Sequence, residues 1–292
     1  MKIYDTHSDI LSNLYQRTLA KEKDVFARYH LQDLTQGHIA GGIWVVYSDT
    51  DFDIQKAYDI ALTSFKPYQN IFDVVYGLEG LRNVLTLDAL DALYQKGIRH
   101  ASLTWNEENH LATGVAGDEH RGLTTRGKQF LDYMVSHQMI IDVSHLNQKS
   151  FYDVIEYTDQ NIIASHSNAY TLSNHRRNLK DEQLAMLREI GGYVGVVGAR
   201  NFVSKDQQKQ NIAGLIDQMV YIGDKIGIDH VMIGLDMMNF LDDFQNSNLD
   251  DLQSHRDAPQ IITKMKMRGF TEAEISGIAY RNFLQLRKTI TR

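Results

Sequence analysis

Short apolar runs rich in Val and Ile recur along the chain and alternate with longer segments whose apolar residues are spaced i, i+3, i+4. The short runs predict β-strands, and the longer segments predict amphipathic helices. The predicted strands cover residues 3–6, 39–47, 72–78, 98–104, 139–144, 162–165, 192–198 and 230–235. Several runs are almost continuously hydrophobic, which is typical of parallel strands covered on both faces. The alternation therefore predicts βα units around a parallel sheet.

The segments between these runs predict helices, some of which carry start signals. The predicted helices include residues 55–68, 87–95, 124–137, 149–157, 180–189 and 212–226. Thr124 and Asn147 are expected to cap two of them, and Thr271 with Glu274 resembles a capping box that opens a last helix towards Leu286. Eight βα repeats in 292 residues match the usual size of a (β/α)8 TIM barrel of the α/β class. A doubly wound open sheet is the alternative.

The composition indicates a globular chain and excludes several kinds of site. No Pro-rich linker, low-complexity tract or repeat of fixed period interrupts the sequence, so we expect one domain over residues 1–292. The absence of cysteine excludes disulfides, thiolate metal sites and a cysteine nucleophile. No apolar run approaches the roughly 20 residues that cross a bilayer, so we expect no membrane insertion.

The net charge limits the partners that we expect, and the amino-terminal sequence limits the cellular location that we expect. The formal net charge of −7 argues against a nucleic-acid partner, because phosphate binding depends on clustered Lys and Arg. The chain passes from Met1 directly into the polar segment 5–9, which leaves no room for an apolar signal segment. The expected location is therefore the cytoplasm.

Polar residues follow five of the predicted strands, at the ends where chemistry collects in a barrel. They are His7 and Asp9 after the first strand, Glu79 after the third, Asp142 to His145 after the fifth, His166 after the sixth and Asp236 after the eighth. Because the carboxyl ends of barrel strands share one rim, we expect these side chains to converge.

His7 and Asp9 form the first part of a candidate metal site. Extended residues at i and i+2 point the same way, so the imidazole and the carboxylate can bind one ion together. Taken alone, the pair is weak evidence for a metal, because a histidine bonded to a turn carboxylate gives the same pattern. With Glu79, His145 and His166 the set suits two divalent cations, whereas one zinc needs only three of these ligands and water. The thiolate-free set favours zinc, with manganese, cobalt and iron as alternatives.

Two residues of this set have further expected roles. Glu79 lies between the two histidine groups in chain order and has two oxygens, so we expect it to bridge the cations. Two divalent cations, two carboxylates and a bridging hydroxide leave a residual positive charge that can polarise a carbonyl. Asp236 is expected to be a general base, with a metal ligand and a helix cap as the alternatives.

The residues that carry this chemistry also carry a family resemblance. The chain resembles the membrane (renal) dipeptidase family of zinc peptidases in motifs that occur in the family's order between residues 5 and about 240. The motifs are Asp5-Thr6-His7-Ser8-Asp9, Gly77-Leu78-Glu79-Gly80, Leu103-Thr104-Trp105-Asn106, Asp142-Val143-Ser144-His145, Ala164-Ser165-His166-Ser167-Asn168, Arg176-Arg177-Asn178-Leu179 and Gly234-Leu235-Asp236. The tail from residue 271 to residue 286 is also similar.

The resemblance implies an amidohydrolase-like (β/α)8 barrel with two zinc ions, and a homodimer. By position it assigns one ion to His7, Asp9 and Glu79, and the other to Glu79, His145 and His166. It assigns the catalytic acid/base to Asp236. It also makes Arg177 the receiver of the substrate's carboxylate, a residue that would otherwise be interpreted as a surface arginine.

Two positions depart from the family pattern. Trp105 stands where mammalian members have a substrate-binding histidine, so an indole N–H or a metal must support the oxyanion; bacterial relatives also resemble this chain in having tryptophan. The family's Asp-Phe-Asp-Gly is Asp236-Met237-Met238-Asn239 here, which indicates an altered substrate preference. Met237 and Met238 are expected to be core or pocket wall. His175 is expected to be solvated.

The sequence therefore predicts a dinuclear-zinc dipeptidase. In this hypothesis a metal-bridging hydroxide attacks the amide of a small dipeptide substrate, and Asp236 passes the proton to the departing amine. The alternative is a metal-dependent amide hydrolase that acts on N-acyl amino acids, cyclic amides or β-lactams. A different class of function is a barrel that binds partners without catalysis.

Overall fold

A computed structural model describes residues 1–242, 244 and 246–290 of the chain. Its eight strands are parallel, hydrogen-bond in chain order and form a closed barrel, because β8 also pairs with β1. The strands are β1 (Ile3–Ser8), β2 (Ile39–Tyr47), β3 (Asp73–Glu79), β4 (Ile98–Ser102), β5 (Ile140–Asp142), β6 (Ile162–Ala164), β7 (Tyr193–Val196) and β8 (Val231–Ile233). The prediction of a (β/α)8 barrel is confirmed, and the open-sheet alternative is wrong because the edges pair.

Helices connect the strands and cover the outside of the barrel. They are α1 (Ile10–Leu19), α2 (Gln32–Gln36), α3 (Ile54–Phe65), α4 (Leu87–Gln95), α5 (Thr125–Ser136), α6 (Gln148–Tyr157), α7 (Asp181–Glu189), α8 (Arg200–Val203), α9 (Ile212–Ile226), α10 (Pro259–Arg268), α11 (Glu272–Ser276) and α12 (Asn282–Arg287). All six predicted helices are present. None of the described helices is both long and apolar enough to cross a membrane.

The predicted helix starts are confirmed at the level of individual hydrogen bonds. Thr124 accepts from the backbone N–H of Gly127, and Asn147 accepts from that of Ser150. Thr271 and Glu274 form the expected capping box. The last predicted helix is present and runs without a gap from Glu272 to Arg287, with a π-helical turn over Gly277–Arg281 between α11 and α12.

Two apolar clusters hold the fold together and leave one end of the barrel for a site. The larger cluster fills the space between strands and helices and includes the buried Trp44 and Phe26. The smaller one lies inside the barrel, where Tyr4 of β1 stacks on Phe283 of α12 with ring centroids 4.8 Å apart. Because side chains near the amino ends of the strands fill this interior, the carboxyl ends remain free for polar residues.

Strands β1 and β2 approach each other closely at Gly42. A Cβ atom at this position would lie 1.7 Å from the carbonyl oxygen of Asp5, and the backbone φ is +146°. Glycine is therefore required here by both space and conformation. Gly41 relieves crowding in the same way against β3, where an added Cβ atom would lie 1.9 Å from the carbonyl oxygen of Asp73. That residues 1–292 form a single domain stays a prediction.

Candidate metal centre

The predicted site residues come together at the carboxyl ends of the strands. His7 lies inside β1, because that strand continues two residues beyond its predicted end, and Glu79 is the last residue of β3. His145, His166 and Asp236 lie in the loops that follow β5, β6 and β8. Asp9, Glu79, His145 and Asp236 line a cavity of about 310 Å³, a size typical of small-molecule sites.

One carboxylate oxygen lies at the centre of the cluster. Glu79 Oε1 is 2.8 Å from His145 Nε2, 3.3 Å from His166 Nε2 and 3.4 Å from His7 Nε2. The Nε2 atoms of His145 and His166 are themselves only 2.7 Å apart. Ligand atoms of His7, Asp9 and Glu79 form one compact group, and those of Glu79, His145 and His166 form another. Glu79 belongs to both groups.

The chemistry of this donor set fits metal ions. His7 Nε2 and Asp9 Oδ1 are buried and have no hydrogen-bond partner among the described residues. The Nδ1 atom of His145 is 2.9 Å from Asn106 Oδ1, an acceptor, so this ring carries its proton on Nδ1 and has a lone pair on Nε2. Buried nitrogen and oxygen lone pairs that face one another without donors are stabilised by a cation.

Burial sets the protonation states of these groups in the direction that metal binding needs. It lowers the pKa of His7 to about 3, and it holds the pKa values of His145 and His166 well below the ordinary value. The three rings are therefore neutral at pH 7, the form in which imidazole binds metals. Burial raises the pKa values of Asp9 and Glu79, and repulsion from the nearby Asp236 carboxylate adds to both shifts. A cation among these carboxylates would offset that repulsion.

Asp236 and Arg177 line the same cavity, one as an acidic group and the other as a basic group. Asp236 Oδ1 is 3.9 Å from His7 Nε2, and burial raises the pKa of this carboxyl to about 7. Burial lowers the pKa of the Arg177 guanidinium to about 10, so it stays cationic at neutral pH. Its Nη2 donates to the carbonyl oxygen of His166 over 3.3 Å, while its Nε is buried without a partner among the described residues.

Comparison with known proteins identifies the family. Residues 65–292 match the family described as membrane dipeptidase (peptidase family M19). The chain belongs to this family. It is therefore a hydrolase of a metallo-dipeptidase family, and a metal cofactor is part of that family's chemistry.

Curated relatives include uncharacterized proteins and several dipeptidases. The uncharacterized protein in the pqqA 5′ region of Klebsiella pneumoniae is 30% identical over 211 residues, covering 69% of this chain and 75% of the relative. Dipeptidase tcpJ of Claviceps purpurea is 23% identical over 92% of this chain and 70% of its own length.

Solved structures share the fold across the whole chain. A metallo peptidase from Rhodobacter sphaeroides, liganded with a phosphinate mimic of the dipeptide L-Ala-D-Ala, superposes with a TM-score of 0.85 at 20% identity and covers 100% of this chain and 99% of its own. A 2-pyrone-4,6-dicarboxylic acid hydrolase homologue from Pseudomonas putida gives 0.60 at 12% identity, over 100% of this chain and 99% of that one. At these identities the likeness supports the barrel architecture alone.

The two departures from the pattern of the membrane dipeptidase family both lie at the cavity. Trp105 lines it, with its ring 6.0 Å from the ring of His145 and 5.8 Å from that of Tyr47. Met238 also lines it, whereas Met237 is fully buried in the core. The expectation that the two methionines are pocket wall or core is confirmed.

His175 is partly exposed, as expected, but it also lines the cavity, and other cavity residues carried little signal in the sequence. His175 lines the cavity and stacks on Phe202 with centroids 4.2 Å apart, and burial lowers its pKa to about 4. Nothing local distinguishes it from a solvated histidine, since Phe202 comes from α8, well separated from it along the chain. Tyr47 could have been found as the last residue of β2, and Asn106 as part of the motif that contains Trp105.

Proposed function

We propose that the chain hydrolyses dipeptides with the help of two divalent cations, for which zinc is the favoured metal. His7, Asp9 and Glu79 would hold one ion, and Glu79, His145 and His166 would hold the other. Bound ions of this kind lower the pKa of water and polarise a carbonyl group. We infer the reaction class from the family, and we infer the kind and number of metal ions from the ligand atoms.

The contacts of Glu79 carry this proposal. Its Oε1 atom lies within 3.4 Å of three imidazole Nε2 atoms, one from β1 and two from the loops that follow β5 and β6. A carboxylate that serves two neighbouring ligand groups is well suited to bridge two cations. The arrangement supports a dinuclear centre better than a mononuclear one, which needs only three protein ligands.

Asp236 is proposed to move the proton during the reaction. Its carboxyl has a pKa of about 7 because it is buried, so near neutral pH it can both take up and release a proton. It takes the proton of the attacking water and returns it to the nitrogen of the departing amine. The 3.9 Å distance from His7 Nε2 to Asp236 Oδ1 keeps this carboxyl beside the ligand group.

Arg177 and Trp105 are proposed to bind the substrate. The buried Arg177 guanidinium offers an unpartnered N–H to the free carboxylate of a dipeptide, and a planar guanidinium can bind a carboxylate through two parallel hydrogen bonds. This contact would limit the peptide length, because the carboxylate must end at a fixed distance from the reacting carbonyl. Trp105 is proposed to form the wall beside the carbonyl.

Activity on a substrate panel, with metal analysis, tests this function. The purified protein, reconstituted with zinc, should cleave dipeptides such as L-Ala-L-Ala and L-Ala-D-Ala, and the activity should disappear with a chelator and return with zinc. Two ions per chain should be bound. Cleavage of N-acetyl amino acids, cyclic dipeptides or a β-lactam in place of the linear dipeptides would favour the alternative amide hydrolase. A zinc-loaded protein that cleaves none of them would favour a binding function.

A further inference from the structure

A buried hydrogen-bond network lies behind the candidate ligands and is centred on Asp142. Its Oδ1 accepts from the backbone N–H groups of Ser144 and Ser165 over 2.9 and 3.0 Å. Its Oδ2 accepts from His100 Nε2 over 3.1 Å and from the Ser165 hydroxyl. A carboxylate has about four lone-pair sites, so these donors saturate it. Asp142 lies near His7 and His166, but it has no lone pair left for a cation.

The Ser165 hydroxyl connects this carboxylate to two of the candidate ligands. Its Oγ is 2.7 Å from His166 Nδ1 and 3.3 Å from His7 Nδ1. A hydroxyl has one proton and two lone pairs. Because the ionised carboxylate of Asp142 only accepts, the hydroxyl proton goes to Asp142, and both lone pairs remain for the two rings. Each ring must then donate an N–H from its Nδ1 atom.

We propose that Ser165 is a positioning residue that fixes His7 and His166 as the tautomers protonated on Nδ1. In that form the Nε2 atom of each ring has a lone pair, and both Nε2 atoms lie within 3.4 Å of Glu79 Oε1. The opposite tautomer would aim an N–H at the same point and exclude a cation. The inference rests on the proposed metal function and assigns that function a residue which does not itself touch the metal.

The fold holds the network in place across neighbouring strands. His100 on β4 and Ser165 after β6 are both fully buried, so water does not compete for their hydrogen bonds. A Cβ atom at Gly77 of β3 would lie 2.4 Å from His100 Nδ1, so the missing side chain leaves room for this ring. His145 stands outside the network and obtains the same tautomer separately from Asn106. The Ser165 hydroxyl therefore sets the tautomer of His7 and His166, and the Asn106 side-chain amide sets that of His145.

Zinc affinity tests the proposal without any substrate. Ser165→Ala should raise the zinc Kd, measured by competition with a chromophoric chelator, by roughly 10- to 100-fold, the usual effect of removing a partner of a metal-binding histidine. Ser165→Thr keeps a hydroxyl and should restore most of the affinity. Ser167→Ala is the matched control, because Ser167 is equally buried two residues later but its hydroxyl has no partner among the described residues. Its Kd should be unchanged.

A second variant tests the direction of the hydrogen bonds. Asp142→Asn keeps the volume of the side chain, but its amide can donate to the Ser165 hydroxyl and take one of the lone pairs that the rings need. This variant should weaken zinc binding as Ser165→Ala does. The double variant should add little, because both changes remove the same constraint. Wild-type affinity in Asp142→Asn would overturn the proposal.

The tautomers themselves can be observed in the metal-free protein. In a [15N]histidine-labelled sample with chelator, nitrogen shifts should show both rings protonated on Nδ1, with signals assigned by His7→Gln and His166→Gln. Ser165→Ala should lose this fixed state. A wild-type ring protonated on Nε2 overturns the proposal without any variant. An affinity loss with unchanged tautomers also overturns it, since packing would then be the cause. A wild type that binds zinc but cleaves no dipeptide refutes the dipeptidase proposal alone.

Discussion

His145 and Asp236 have positive φ angles of 70° and 53°, although neither is glycine. A left-handed backbone costs a residue with a side chain roughly 1–2 kcal/mol, less for Asp, which can bond locally. Both residues follow a barrel strand and both line the cavity. The turn directs each side chain towards the candidate centre. The sequence indicated that these two residues belong to the candidate site, because of their type and their position after a strand. It did not indicate the left-handed turns, which are a property of the folded chain.

Asp236→Asn should retain metal and lose turnover. The amide cannot take up or release a proton, and removal of a general acid/base typically lowers kcat by about 10²–10⁴-fold. Dipeptide turnover and zinc content should be measured on the same preparation. Asp224→Asn, an exposed change on α9, is the control and should behave as the wild type. Near-normal turnover in Asp236→Asn would remove the assigned role.

Arg177→Ala should mainly affect substrates with a free carboxylate. Loss of a charge-assisted hydrogen bond costs about 1.5–3 kcal/mol, so kcat/KM for a dipeptide should fall by roughly 10- to 100-fold. The same dipeptide with its carboxyl group amidated provides the internal comparison. The guanidinium also bonds to the carbonyl oxygen of His166, and any effect through that contact would reduce both substrates equally. An equal loss would therefore contradict the carboxylate-binding role.

Strands β5 and β6 are each only three residues long, shorter than their apolar runs predicted. The reason is the side chain of Asp142, whose Oδ1 accepts from the backbone N–H groups of Ser144 and Ser165. Those N–H groups bond to a side chain instead of a neighbouring strand, and the ladder ends. The chain then turns and delivers His145 and His166 to the cavity. The hydrophobic pattern continues past this point, so it placed the strands correctly but could not locate their ends.

Gly42→Ala should strongly destabilise the barrel. The added methyl group would overlap the backbone of β1, and the expected loss in the free energy of unfolding is about 3 kcal/mol, measured by urea denaturation. Gly191→Ala is the comparison, because Gly191 also has a positive φ but a Cβ added there would meet no other described residue within 4 Å, its chain neighbours aside. Gly191→Ala should lower the free energy of unfolding by only about 1 kcal/mol, the cost of placing a side chain at a positive φ. Similar losses in both variants would show that close packing is not the cause.

Closure of the barrel brings together the parts of the candidate metal centre that come from opposite ends of the chain. The backbone N–H of Asp236 donates to the carbonyl oxygen of His7 over 3.3 Å, so the loop after the last strand lies against the first strand. The same closure buries several histidines as neutral rings, which links the stability of the molecule to pH. The homodimer expected from the family resemblance stays a prediction.

The free energy of unfolding should fall as the pH is lowered below about 6.5, in part because of His30. Burial lowers the pKa of this ring from 6.5 to about 3, and its Nε2 contacts Asn13 Oδ1 at 3.0 Å. The unfolded chain therefore binds a proton that the folded chain excludes between these two values. The stabilisation is complete above pH 6.5 and is lost as the pH falls towards 3. His30 alone should account for about 1 kcal/mol between pH 7.5 and 5.5.

The contribution of His30 can be separated from other effects by comparing how the free energy of unfolding changes with pH in the wild type and in two variants. Unfolding should be followed in urea with a chelator present, which removes any contribution from bound metal. His30→Gln should flatten the decrease between pH 7.5 and 5.5, whereas His120→Gln, at a side chain that is 86% exposed, should not change it. Equal slopes in wild type and His30→Gln would show that the ring is not held neutral.

The sequence by itself determined the number and order of the strands, because hydrophobic periodicity is a local property that each element carries alone. It also determined which residue types follow the strands, and so the candidate ligands His7, Asp9, Glu79, His145 and His166. Only the tertiary structure decided that Glu79 Oε1 meets three imidazoles, that Ser165 touches two of them and that His175 enters the cavity. Distances, burial and protonation depend on partners that are far apart in the chain, and those partners meet only when the barrel closes.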